Sequence, residues 1–166
     1  FNLELKGAPY KTGTVPELGY YADLVVSAIE EHGISDRTFL QSFDWRLPAL
    51  VQRRLPEIKT GLISDLQPDG NPQSPILGKP SLWTHGLDLT EFPDIPHMVR
   101  QLGAQVWSGN FLDITARNVQ SAHSLGLSVY AWTVNTETDM STMMDYGVDA
   151  ITTDYPDRLY RILNQG

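Results

Sequence analysis

Ser128–Leu159, reading SVYAWTVNTETDMSTMMDYGVDAITTDYPDRL, decides the fold of this chain. Val129 to Val134 is a short apolar run rich in β-branched and aromatic residues, the pattern of a strand buried on both faces. Thr136 is placed to cap a helix carrying Met140, Met143 and Met144, and Gly147 to stop it. Asp149 to Thr153 predicts a second strand, and Pro156 opens another helix. Two β/α units in tandem require parallel strands with helices packed outside them. Asn135 and Asp154 then fall just past strand ends, where such folds place their chemistry.

Outward from this stretch the same alternation continues toward the N-terminus. Strands are predicted near residues 3, 40, 60, 106, 131 and 151. Helices are predicted over 16–32, from an Asp44 cap to about Leu55, over 95–102, and from a Thr115 cap to Leu125. SGN at 108–110 reads as a turn ending the fourth strand, and 65–81 as one long irregular loop. Trp83, His85 and Asp88 continue that loop toward the strand ends. The 166 residues are expected to form one domain (1–166), with nothing resembling an interdomain linker.

Composition narrows the function classes. A formal net charge of −8 lacks the basic footprint that nucleic acid requires. No apolar run reaches the length of a membrane span. Without cysteine, thiol catalysis, disulfides and thiolate zinc are excluded. An acidic protein still binds a phosphodiester when a metal supplies local positive charge.

WTVN at 132–135 and GVDAITTDYPDRL at 147–159 closely resemble the C-terminal signature of the glycerophosphodiester phosphodiesterases. NLELK at 2–6, LQSFDWR at 40–46 and the blocks within 106–127 extend the resemblance, in the family's order, over nearly the whole chain. It implies a TIM-type (β/α)8 barrel, an α/β fold, that cleaves glycerophosphodiesters to glycerol 3-phosphate and an alcohol with a divalent metal, Mg or Ca, and two histidines. In the family the NLELK-like strand turns its Glu into the barrel mouth as a metal ligand, with the Lys against phosphate. The resemblance carries those roles to Glu4 and Lys6. It places Phe43 as an apolar wall or a packing residue, and Trp107 and Trp132 as mouth-lining residues, with ordinary packing the alternative for Trp107. Relatives with an LWTHGLDL-like segment point to a periplasmic or secreted enzyme rather than a cytoplasmic one.

Such a barrel has eight strands and about 250 residues. The six strands here correspond to the third to eighth of the family pattern. Its His-Arg-Gly opening, Glu-x-Asp metal pair and second His do not occur. The chain alone is therefore expected to be inactive, as a clipped or truncated part of a longer enzyme. Its open sheet edges would be met by the missing N-terminal segment or by a second copy. The alternative is a non-catalytic binding or assembly module built on a degenerate barrel. His85 is the one histidine with a place near a site, a surface-loop role being its other reading.

Overall fold

The structure is a computed structural model that describes residues 1–11, 13–67 and 79–164. Six strands form one parallel sheet: β1 (Asn2–Glu4), β2 (Phe39–Ser42), β3 (Lys59–Ser64), β4 (Val106–Asn110), β5 (Ser128–Trp132) and β6 (Ala150–Ile151). They are ordered as in the chain, β1 to β6, every neighbouring pair parallel. Helices α1 (Leu18–Glu31), α2 (Arg46–Arg54), α3 (Ile95–Gln101), α4 (Ala116–Ser124), α5 (Glu137–Tyr146) and α6 (Pro156–Leu163) alternate with them. Sequential parallel strands with right-handed crossovers put every helix on one face. The sheet curls away from that face into a half-barrel, an incomplete (β/α)8 barrel whose edge strands β1 and β6 stand 12 Å apart.

Two apolar clusters lie between sheet and helices. One joins Leu40 of β2 to Ala22, Val26 and Ile29 of α1 and to Leu47 and Val51 of α2. The other joins Leu62, Trp107, Val129 and Ala131 of the central strands to Met98, Val99, Val119, Ala122, Met140 and Met143 of α3, α4 and α5. Alternation along each strand sends the other side chains to the inner face. The curl closes over the middle of that face, burying Ile63, Val106 and Ser108.

Local chemistry explains most boundaries. Thr115 and Asn118 form a capping box at α4. Thr136 accepts from the Asp139 N–H at α5, and Gly147, at φ +82°, ends it in the left-handed region. The Glu17 carboxylate caps α1, accepting from Gly19 and Tyr20 N–H, so that helix starts one position after Glu17 rather than at Pro16.

The structure overturns one expectation here and refines another. Ser108, Gly109 and Asn110 continue β4 instead of turning, paired with β3 and β5. The glycine serves close packing there: a Cβ at Gly109 would come within 2.9 Å of the Trp107 indole. The cap position of α2 is Trp45, whose side chain makes no capping bond, and Asp44 before it accepts from the Arg46 N–H, the first of the helix, at 3.3 Å. The fully buried Asp44 also holds the Arg46 guanidinium through paired bonds of 2.8 and 2.7 Å. The segment expected as a long loop lies in part, at 68–78, outside the described residues.

Candidate functional site

The C-terminal ends of the strands carry the polar residues. Glu4 is the last residue of β1, in register with Gln41 of β2, and Asn2 accepts a 3.0 Å bond from the Gln41 amide. Glu4 and Gln41 thus share the inner face with Asn2. Lys6, just past the strand, reaches back to the Glu4 carboxylate at 2.5 Å. Its side chain is 73% exposed, so little but Glu4 restrains it from swinging to a ligand anion.

Phe43 and Trp132 meet across the same mouth, edge to face, with ring centroids 5.5 Å apart. Trp132 is anchored by its indole N–H, which donates to the Ser108 carbonyl at 3.0 Å. Both rings remain partly exposed. Trp107 lies elsewhere: it points outward, is 1% exposed, packs among the α3 and α4 side chains, and donates to Ser64 Oγ at 2.8 Å. The structure therefore brings Glu4, Lys6, Phe43 and Trp132 to the inner side of the strand ends and leaves Trp107 behind the sheet.

Asn135 and Asp154 lock two loops together. Asn135 Nδ2 donates to Asp154 Oδ2 at 2.9 Å, Asn135 Oδ1 accepts from the Asp154 N–H, and Arg158 donates to the Asn135 carbonyl at 2.7 Å. The Asp44–Arg46 pair lies in the segment after β2, with Asp44 packed against Gly7 of the loop after β1. A Cβ at Gly7 would fall 2.3 Å from Asp44 Cβ, so glycine is required for that approach. Tyr10, whose hydroxyl accepts from the Leu82 N–H at 3.0 Å, links these loops to the one before α3. The Tyr10 hydroxyl is shifted below its ordinary pKa by bonds to Ser81 and Leu82, with the Arg46 charge adding to them. Neither the pair nor Tyr10 stood out in the sequence as part of the mouth. The glycine before a run of loop residues was the one available signal.

Histidines do not gather. His97 sits on α3 against Asp94, His123 on α4 against Asp149, and His32 ends α1. His85 is exposed in a turn at φ +57°. Among the described residues no group of three or more histidines and carboxylates is arranged to hold a metal ion. Glu4 offers one carboxylate, and a hard divalent cation takes six or more oxygens.

The chain resembles solved and curated proteins of one kind. A Silicibacter pomeroyi protein assigned as a glycerophosphoryl diester phosphodiesterase superposes on 99% of this chain and 50% of its own, at 32% identity and a TM-score of 0.76. A Parabacteroides distasonis glycerophosphodiester phosphodiesterase shares the fold at a TM-score of 0.73 and 22% identity, over 99% of this chain and 57% of its own. By sequence, a Caldanaerobacter subterraneus glycerophosphodiester phosphodiesterase is 24% identical over 142 residues, covering 86% of this chain and 49% of the relative. One from Bacillus altitudinis is 25% identical over 163 residues, 97% of this chain and 54% of the relative. The chain thus spans about half the length of these curated relatives. The model of the glycerophosphoryl diester phosphodiesterase family matches residues 1–158, and the chain belongs to that family.

Proposed function

We propose that this chain forms the C-terminal part of a metal-dependent enzyme that hydrolyses glycerophosphodiesters to glycerol 3-phosphate and an alcohol. The observation that supports this reading is the pairing of Glu4 with Lys6 at the C-terminal end of β1, on the same inner side of the sheet as the Phe43–Trp132 contact. In this reading Glu4 contributes one oxygen ligand to Mg or Ca, the remaining ligands coming from outside the chain. The metal, when bound, offsets the negative charge that develops on the phosphoryl oxygens. Lys6 Nζ leaves Glu4 to meet a non-bridging phosphate oxygen as a point charge. Phe43 and Trp132 exclude water beside the scissile ester and give the glycerol or alcohol carbons an apolar wall. Proton transfer falls to a histidine pair supplied outside this chain, since its own histidines lie on the helices and an exposed turn.

Release of glycerol 3-phosphate from glycerophosphocholine, with and without a chelator, tests this. The 166-residue chain alone should give no turnover. An enzyme completed by the two missing β/α units should turn over and be stopped by chelation. Glu4→Gln in the completed enzyme should lower kcat by about 10²-fold, the scale at which one electrostatic contact acts in a transition state. Chelator-insensitive turnover would reject the metal. The dispersal of the histidines favours a second reading, a non-catalytic assembly module. A completed protein that binds no divalent cation and cleaves nothing would establish it.

A further inference from the structure

Lys6 lies two residues beyond the end of β1, outside the strand pairing that fixes Glu4. A charge that must meet one phosphate oxygen needs a fixed root, and β2 with the segment after it supplies one. Leu5 donates its N–H to the Gln41 carbonyl at 2.8 Å, and its own carbonyl accepts from Ser42 Oγ at 2.6 Å. Ser42 Oγ in turn accepts from the Asp44 N–H at 3.0 Å. On the other side of Lys6, Gly7 lies so close to Asp44 that a Cβ there would fall 2.3 Å from Asp44 Cβ and 2.7 Å from Asp44 Oδ2. Leu5, Lys6 and Gly7 are thus joined at both ends to Ser42, Phe43 and Asp44. Leu5 packs in the apolar cluster of β2, α1 and α2, and Ser42 and Asp44 are fully buried. Of the six, the two middle residues, Lys6 and Phe43, carry the side chains that reach solvent.

This clamp is polar where apolar groups could have filled the space. Burying a hydroxyl and a carboxylate costs stability unless each is bonded. Here the Ser42 hydroxyl both donates and accepts. The Asp44 carboxylate accepts from the Arg46 N–H at 3.3 Å and from its guanidinium at 2.8 and 2.7 Å. Arg46 supplies the counter-charge, and its bond to Asp44 raises its pKa above the ordinary value. Hydrogen bonds are directional and dispersion contacts are not, so a polar clamp fixes where a backbone segment sits as well as whether it stays.

We propose that Ser42 and Asp44 are positioning residues that set Lys6 and Phe43 at the mouth, Ser42 through the Leu5 carbonyl and Asp44 through its contact with Gly7. The proposal rests on the reading that Lys6 meets a phosphate oxygen, and it adds what holds that charge in place. Neither residue touches the ligand. Each acts on the backbone beside Lys6, where a displacement of about 1 Å is on the scale that costs about 10²-fold in rate.

A double-mutant cycle on release of glycerol 3-phosphate by the completed enzyme tests this, because an effect that acts through Lys6 disappears when Lys6 is gone. Ser42→Ala should lower kcat/KM about tenfold in the parent, and about twofold or less beside Lys6→Ala. Gly7→Ala, which pushes the segment off Asp44, should behave alike, and its cycle stands independently if a Ser42 variant does not fold. Ser42→Thr and Ser42→Val share one shape and differ in the hydroxyl, so the Thr variant should keep several-fold more activity. In the isolated 166-residue chain hydrogen exchange reads the clamp with no ligand present. Ser42→Ala should speed exchange of the Leu5 and Asp44 amides about tenfold and leave those of α4 and α5 unchanged. Equal losses with and without Lys6 would overturn the positioning role. Leu5 and Asp44 amides that exchange as in the parent would overturn the clamp. Turnover by the parent with a flat cycle refutes this proposal alone. A silent parent refutes the enzymatic reading, and the catalytic part of the proposal with it.

Discussion

Trp107 and Trp132 occupy neighbouring strands and belong to different parts of the molecule. Trp107 is paired in register with Val129 on the helix side of the sheet, buried among Met98, Val119 and Ala122. Trp132 projects to the inner side and meets Phe43. The helix-facing side carries both apolar clusters. The inner side carries Asn2, Glu4, Gln41, Lys59, Tyr130 and Trp132, polar or amphipathic groups with partial exposure at both ends. One face of the sheet carries the packing that stabilises the fold, and the other carries partly exposed polar and aromatic groups at the strand ends. Strand alternation separates them by a single residue.

The comparison breaks most readily at Trp107. Trp107→Ala should destabilise the chain by about 3–5 kcal/mol, the cost of truncating a large core aromatic, read as a fall in the denaturation midpoint. Removing Ser64's indole partner adds to that loss. Trp132→Ala should cost the isolated chain only about 1–2 kcal/mol, because the ring is partly exposed and loses one carbonyl bond and one aromatic contact. In a completed enzyme it should raise KM for glycerophosphocholine about tenfold. Equal stability losses in the two variants would show that the inner face is as tightly packed as the outer one.

The smallest effect concerns Asp113, after β4. Burial pushes its carboxyl above the ordinary range, and the nearby Asp65 charge pushes the same way, against bonds from the Leu66 N–H and the Gln67 amide. The folded state thus holds this proton more tightly than the unfolded chain does. Its contribution is complete below the unfolded pKa of about 4, and it declines as pH rises through the folded value. Asp113→Asn should flatten that decline, seen as a shallower fall of unfolding free energy above pH 4. An unchanged slope would assign the pH dependence to other carboxylates.

Much of the architecture was legible before the structure. Six strands at their observed positions, the Thr115 and Thr136 caps and the Gly147 stop all follow from local patterns acting over three or four residues. SGN at 108–110 misled because glycine and asparagine favour turns, whereas Gly109 answers to the indole of Trp107 and to pairing with β3 and β5. Asp44 accepts from the first N–H of α2 as a carboxylate before a helix should, but the capping pattern did not show that the Arg46 guanidinium would be its closer partner. Glu4 and Lys6 were conspicuous only through family resemblance. The part played by Ser42 was not legible at all, since the carbonyl it bonds lies 37 positions away.

By itself the sequence determined the alternation of strands and helices, and with it a parallel sheet with helices on one side, because hydrophobic period and capping are local properties. Tertiary structure decided which tryptophan faces the mouth, what Asp44 pairs with, and how far apart the sheet edges stand. Those depend on strand register and sheet curvature, which only contacts between distant segments can set.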